Sequence, residues 1–447
     1  MSNRLETKGM KPESKRVLKP KLRFPEFQGE PEWNAEKLGA VASLITERAG
    51  NKKCVPMSIT SGVGLVSQQE KFGRTIAGNQ YENYLVLQKN DFAYNKSATK
   101  EFPQGFIAKY SEDEPAAVPN SIFTCFRAHE DGIVPDFLNY LFAGNLHGKW
   151  LKKYIEVSAR AHGSLSIDGA DLLSLPIPLP SGKLSRAEQQ KIAECLTSLD
   201  ELIAAHGQKL DALKDHKKGL MQQLFPQEGE NRPPLRFPEF QDAGEWRATN
   251  LGKLIQLQSG FAFSSDYFGS KGEKLVTPRN FTKFGFGNFE DTASKYTTEE
   301  VPQKYICNPG DLLVLLTDLT PTCELLGKPL EVTEKDGHVL LNQRVAKVEP
   351  VSNEVTKSFL KQYFLSETYN EVIVKTATGS TVRHSSNKVI LNMEVVFPLP
   401  EEQQRIADCL SSLDDLIAAQ IQKLDALKTH KKGLMQQLFP SPEEVEA

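Results

Sequence analysis

Residues 187–226 return almost unchanged as residues 401–440, and this duplication limits the chain to folds that use one long element twice. The strings AEQQKIAECLTSLDELIAAHGQKLDALKDHKKGLMQQLFP and EEQQRIADCLSSLDDLIAAQIQKLDALKTHKKGLMQQLFP match at thirty-two of forty positions. Apolar residues step by four and three in both. They are Ile192, Leu196, Leu199, Ile203, Leu210, Leu213, Leu220 and Leu224 in the first copy, and Ile406, Leu410, Leu413, Ile417, Leu424, Leu427, Leu434 and Leu438 in the second. Such a heptad seam predicts two long helices that pack on one another. About thirty-five helical residues make a rod of roughly 50 Å.

Polar residues interrupt the seam at His206 and Lys217, and at the matched Gln420 and Lys431. For the lysines, a stem that snorkels to solvent is the expectation. If the helices run antiparallel in symmetric register, His206 and Gln420 meet near the centre, where a polar contact fixes register at some cost in stability. Ser185 and Glu188 read as a capping box, Pro400 as a first-turn proline, and Pro226 and Pro440 as stops. Gly219 and Gly433 are candidate kinks.

The duplication extends beyond the helices. Leu22-Arg23-Phe24-Pro25-Glu26-Phe27, followed by Trp33, returns as Leu235-Arg236-Phe237-Pro238-Glu239-Phe240, followed by Trp246. Each unit therefore opens on this phrase and closes on a long helix. The organisation is a basic leader over 1–21, a first domain over 22–184, a central helix over 185–226 and a linker over 227–234. A second domain over 235–399, a C-terminal helix over 400–440 and an acidic tail over 441–447 follow. The two domains share little sequence beyond a Gly-Ser (Gly163-Ser164, Gly379-Ser380) and a closing Pro-Leu-Pro. Runs at 84–87, 311–316 and 389–391 read as strands, and 136–154 and 356–374 as helices, so each domain is expected to be α+β. A repeated scaffold holding two diversified domains is suited to presenting two different recognition surfaces.

A chain of 447 residues exceeds one ordinary core. Its net charge of -3, with Glu443, Glu444 and Glu446 in the tail, excludes a uniformly basic nucleic-acid binder but leaves room for a local basic face. The six cysteines form no CxxC pair and no zinc spacing, which points to a reducing, cytoplasmic setting. No apolar run reaches membrane-spanning length. No P-loop is present, since Gly144 to Trp150 has the wrong spacing, and there is no Asn/Asp-Pro-Pro-aromatic methyltransferase motif. No catalytic or metal-binding residues are expected.

The LRFPEF phrase with its tryptophan, the closing Pro-Leu-Pro, and the strings EQQKIAECLTSLDELI and QKLDALKxHKKGLMQQLFP resemble the DNA-specificity subunit of type I restriction-modification systems. The resemblance covers nearly the whole chain in duplicated order. It implies a non-catalytic subunit in which two target-recognition domains, carried by an antiparallel coiled coil with pseudo-two-fold symmetry, each read half of a bipartite, asymmetric site on double-stranded DNA. It further implies docking of two methyltransferase subunits and two restriction/translocase subunits, which use S-adenosylmethionine, ATP and Mg; the chain itself needs no cofactor. A duplicated coiled-coil adaptor that never touches DNA is the alternative.

The resemblance does not assign DNA-contacting residues. Side-chain chemistry suggests Lys52, Lys53, Arg74, Asn79, Tyr94, Asn95, Lys96, Lys100, Arg160 and His162 in the first domain. In the second it suggests Arg279, Asn280, Lys283, Asn342, Gln343, Arg344, Arg383 and His384. The helix-pair core is expected to comprise Ile192, Leu196, Leu199, Ile203, His206, Leu210 and Leu213 against Ile406, Leu410, Leu413, Ile417, Gln420, Leu424 and Leu427.

Overall fold

The computed structural model describes residues 18–60, 63–152, 155, 165, 167–290, 292–320, 322–380 and 382–441. Both long helices form, over Ser185–Leu224 and Pro400–Leu438, unbroken through Gly219 and Gly433 and ending two residues before a proline. The chain divides into two units, residues 1–205 with 424–447 and residues 206–423. Each unit thus holds one α+β domain, the N-terminal part of one long helix and the C-terminal part of the other.

In unit 1, the strand order Ala42–Leu44, Phe123–Ala128, Asp91–Asn95, Phe106–Lys109 builds one antiparallel sheet. A second sheet runs Gly64–Ser67, Val55–Thr60, Ala116–Val118, Leu85–Leu87, with its middle pair parallel. Unit 2 repeats both patterns despite its different sequence. Ile255–Ser259, Val345–Pro350, Leu312–Leu315, Pro329–Glu331 form the first sheet, and Lys295–Thr297, Glu273–Val276, Val339–Leu341, Ile306–Cys307 the second, extended at one edge by Phe268–Gly269. A brace on a largely buried aspartate recurs as well. Arg127 donates to both carboxylate oxygens of Asp91 at 2.7 Å, and Asp311, which matches Asp91 in position, lies 2.9 Å from Lys347 on the neighbouring strand.

The opening phrase of each unit docks its domain on the helices. In unit 1, Arg23 donates twice to Glu188 at 2.7 Å and Trp33 donates to the same carboxylate at 3.2 Å. In unit 2, Arg236 grips Glu402 at 2.7 and 2.5 Å. Both glutamates are buried in the first turn of a helix, where the helix dipole favours negative charge, so the bidentate pair satisfies a carboxylate that burial would otherwise penalise. Glu188 is therefore a partner for Arg23; Ser185 does not complete a capping box, because its Oγ donates to the Pro180 carbonyl. The phrase also meets the far end of the other helix: Leu22 N donates to Gln437 O in unit 1, and Leu235 N to Gln223 O in unit 2, each at 2.9 Å.

The seam residues divide by position. Ile192 and Leu196 join Leu438, Phe439 and Trp33 in the core of unit 1, while Ile406 and Leu410 join Leu224, Phe225 and Trp246 in unit 2. Leu210, Ile417 and Leu427 are buried, and Leu199, Ile203, Leu213, Leu413 and Leu424 half-buried. In unit 2, Gln420 Nε2 lies 2.7 Å from His206 Nδ1 and donates to the His206 carbonyl at 2.8 Å. Eleven positions further along the first helix, Lys217 meets Asp414 at 2.5 Å, so the two helix segments run antiparallel. The lysines do not snorkel. Lys217 ends on buried Asp414 and Lys431 on Asp200, because each aspartate sits beside the seam of the facing helix and supplies the countercharge.

Other sequence expectations change with the structure. Leu18, assigned to the leader, is 2% exposed and bridges Trp33, so the first domain begins before residue 22. The 389–391 run is helical, within Asn387–Leu391, because the Ser386 side chain accepts from Val389 N and caps it. The single helix expected at 356–374 is two, Lys357–Leu365 and Glu367–Thr376, since Ser366 adopts an extended conformation and starts the second. The run at 136–154 likewise gives Pro135–Ala143 and Leu146–Leu151, with Tyr154 outside the described residues.

Candidate nucleic-acid interface

The central strand of the first sheet in each domain leads into a three-chain junction that gathers candidate residues. In unit 2, Leu316 N donates to Arg344 O at 2.9 Å and Ser385 N to Leu316 O at 3.0 Å. Thr317–Asp318 then pairs antiparallel with Arg383–His384, and Thr317 Oγ1 lies 3.1 Å from His384 Nδ1. Arg344, Arg383 and His384, distant in sequence, are thereby brought together. Arg344 and His384 are exposed and Arg383 half-buried.

Several polar atoms at this junction have no partner: Arg383 Nε, Ser385 Oγ and Asn387 Oδ1 are buried and unpaired. Leaving such atoms unsatisfied is costly unless a ligand or water completes them. Beside them, buried Asp318 accepts hydrogen bonds from the backbone of Thr320, Leu325 and Leu326 at 2.8, 2.7 and 3.1 Å. That clasp fixes the loop carrying Leu319, which is 58% exposed. Guanidinium groups, an imidazole and an exposed aliphatic tip are the groups that read base edges and thymine methyls.

Unit 1 builds the same junction from different residues. Lys96 N donates to Ile122 O at 2.9 Å and Leu165 N to Lys96 O at 2.8 Å, so Lys96 takes the place of Leu316, Ile122 that of Arg344 and Leu165 that of Ser385. Among the described residues, a lysine and two apolar residues thus stand where unit 2 has Leu316, Arg344 and Ser385; the counterparts of Arg383 and His384 lie outside the described residues.

The remaining candidates fall into three groups. Lys53, Arg74, Asn79, Lys100 and Gln343 are exposed on loops and Arg279 on the short 3-10 turn Pro278–Asn280, while Lys52 is paired with Glu47 and Lys283 with Glu324. Arg160 and His162 lie outside the described residues. Tyr94, Asn95 and Asn280 are structural and cannot reach DNA. Tyr94 is fully buried and donates to Gln104 O at 2.9 Å, and burial raises its pKa. Asn95 is 7% exposed and accepts from Ser97 N. Asn280 is fully buried, accepting from Thr277 N at 2.7 Å and donating to Asn288 O at 2.8 Å. Polar residues beside aromatics marked turns in the sequence, but the same alternation also describes a buried strand. Leu319, Ser385 and Asn387 join the candidates from the structure; the polar run 383–387 signals the latter two in the sequence. Among the described residues no cluster of three or more potential metal ligands exists, and no helix is long and apolar enough to cross a membrane.

Comparison with known proteins places this arrangement. A family model described as the type I restriction modification DNA specificity domain matches residues 34–215 and again 244–429. The type I restriction enzyme MjaVIII specificity subunit of Methanocaldococcus jannaschii is 26% identical over 299 residues, covering 65% of this chain and 67% of that protein. The putative MjaX specificity subunit of the same organism is 26% identical over 316 residues, covering 70% and 69%. A solved type I restriction-modification S subunit from M. genitalium gives a TM-score of 0.56 at 15% identity, over 94% of this chain and 99% of that one. A chain from a structure described as the basis of complex assembly and conformational transition of the type I R-M system gives 0.52 at 18%, over 92% and 98%. These two share the fold. Because one family model accounts for both halves of the sequence in tandem, the chain belongs to the type I restriction-modification DNA specificity family.

Proposed function

We propose that the two α+β domains each read one half of a bipartite, asymmetric DNA site, and that the long helices set the unread spacer between the halves. The carrying observation is the matched junction. One strand topology places Lys96, Ile122 and Leu165 in one domain where Leu316, Arg344 and Ser385 stand in the other, a difference in chemistry suited to recognising two different sequences. Half-sites read from one face of a duplex lie about 34–36 Å apart. A helix of 40 residues rises about 60 Å at 1.5 Å per residue, enough to span that distance.

In this reading the chain carries no chemistry of its own. Two methyltransferase subunits dock on the repeated helices and methylate adenine with S-adenosylmethionine. Two restriction/translocase subunits use ATP and Mg to move and cut unmodified DNA. The sequence repeat supports a pair of identical partners, since equivalent surfaces recur on one chain.

The test is genome-wide mapping of N6-methyladenine in cells carrying this chain with its methyltransferase, against cells with the methyltransferase alone. An interrupted two-part motif that depends on this chain is the expected result. If purified complex also fails to bind DNA in a salt-dependent manner, the absence of a motif turns the reading into that of a protein-only adaptor.

A further inference from the structure

Unit 2 carries a cleft of about 910 Å³ between the last turns of the first long helix, the turn at Lys283 and Phe284, and the helix Glu367–Thr376. Small-molecule sites commonly occupy about 300–1,000 Å³. Lys328 lines it half-buried, and its ammonium has no hydrogen-bond or ion-pair partner among the described residues. Asn370 lines it too, with Nδ2 buried and lacking an acceptor. Two unmatched donors in one concave space call for a ligand rich in acceptor oxygens.

Six lysines and four glutamates, Glu228 and Glu394 among them, line the cleft, and the cationic excess favours a multiply charged anion over a simple carboxylate. Lys218 and Lys375 also line the cleft, each held by an exposed glutamate, Glu367 or Glu371. Exposed pairs of this kind contribute little, so a dianion can draw both lysines away at small cost. Met221, Phe225 and Phe284 supply an apolar wall. Burial, with Lys217 nearby, brings the Lys328 amine down to about 8, which makes it unusually reactive near neutral pH.

We propose that this cleft binds a phosphate-bearing anion, with Lys328 and Asn370 donating to its oxygens and Lys218 and Lys375 closing on its outer charge. That reactivity provides the test. The full chain is pulse-acylated, and modification at Lys328 is followed by mass spectrometry, with exposed Lys335 as reference. Inorganic pyrophosphate or a short DNA duplex, at ten times its dissociation constant, should slow labelling of Lys328 about tenfold and leave Lys335 unchanged. Protection by inorganic pyrophosphate assigns the site to free phosphates; protection by a short DNA duplex alone assigns it to the nucleic-acid backbone. No protection by either, or equal protection by acetate, overturns the proposal. In a Lys328→Met chain that retains its helical circular dichroism, calorimetric binding of whichever phosphate protects should vanish; unchanged binding overturns it equally.

Discussion

Asp414 and Asp200 occupy the same position in the duplicated helix, yet replacing each with asparagine should have very different consequences. Asp414 is 2% exposed and meets Lys217, whose side chain is 8% exposed; Gln362 donates to its second oxygen at 3.0 Å. Asp200 is 43% exposed and meets Lys431, at 20%, with the Tyr140 hydroxyl donating to its second oxygen at 2.8 Å. Asp414→Asn leaves a buried ammonium without its countercharge, a loss of about 3–5 kcal/mol. Asp200→Asn leaves a lysine that water can still reach, so roughly 1 kcal/mol or less is expected. A difference of about 3 kcal/mol shifts the melting of a unit this size by roughly 10 °C. Because two units need not unfold together, native-state hydrogen exchange on the full chain is the appropriate assay, read separately for amides of residues 206–423 and for the remainder. Equal losses at the two sites would refute the reasoning that burial decides the strength of these pairs. The joint change Lys217→Met with Asp414→Leu should recover most of the loss, since apolar replacement of a buried pair is often neutral.

His147 is 1% exposed, and burial pushes its pKa from the usual 6.5 down to about 4. The unfolded chain therefore binds the proton first: stability of unit 1 is full above pH 6.5 and falls by roughly 3 kcal/mol as pH drops to 4, a slope that His147→Leu should remove in pH-dependent denaturation. Arg236→Met should destabilise unit 2 by about 3–5 kcal/mol by stranding buried Glu402, measurable by urea unfolding, and Glu402→Leu in the same chain should restore much of it. A proline at Leu199 should break the first long helix at a cost of about 3 kcal/mol or more and abolish co-purification with the methyltransferase; full-affinity assembly would contradict the scaffold role. One extra helical turn after Ile203 and after Ile417 should change the spacer of the methylation motif while leaving both half-sites intact.

The repeated helices were legible because a heptad seam depends only on spacing, and the His206–Gln420 meeting followed from symmetry. The partners of Lys217 and Lys431 were less accessible: Asp200 and Asp414 lie next to seam residues, and only three-dimensional packing brings them against the lysines of the facing helix. The two domains hid their common topology for a related reason. Strand pairing is set by backbone geometry and by a few braces such as Asp91 with Arg127 and Asp311 with Lys347, which survive wholesale change of the other side chains. Surface specificity was the least legible. Arg344 and Arg383 converge through backbone hydrogen bonds to Leu316 and Asp318, a juxtaposition with no local signature, whereas Tyr94 and Asn280 had the right composition in the wrong environment.

The docking of Leu22 and Trp33 beside Gln437 and Phe439 has a consequence for how the chain is made. Unit 2 is a contiguous stretch, but unit 1 closes only when residues 424–439 have been added. At the usual 5–20 residues per second, the ribosome needs roughly 12 to 47 s to travel from Ala205 to Phe439. For that interval the first domain emerges without Leu438 and Phe439, so its core around Trp33, Phe137 and Ile192 is incomplete. The domain translated first is therefore the one finished last, and it is the one most exposed to chaperones and proteases during synthesis.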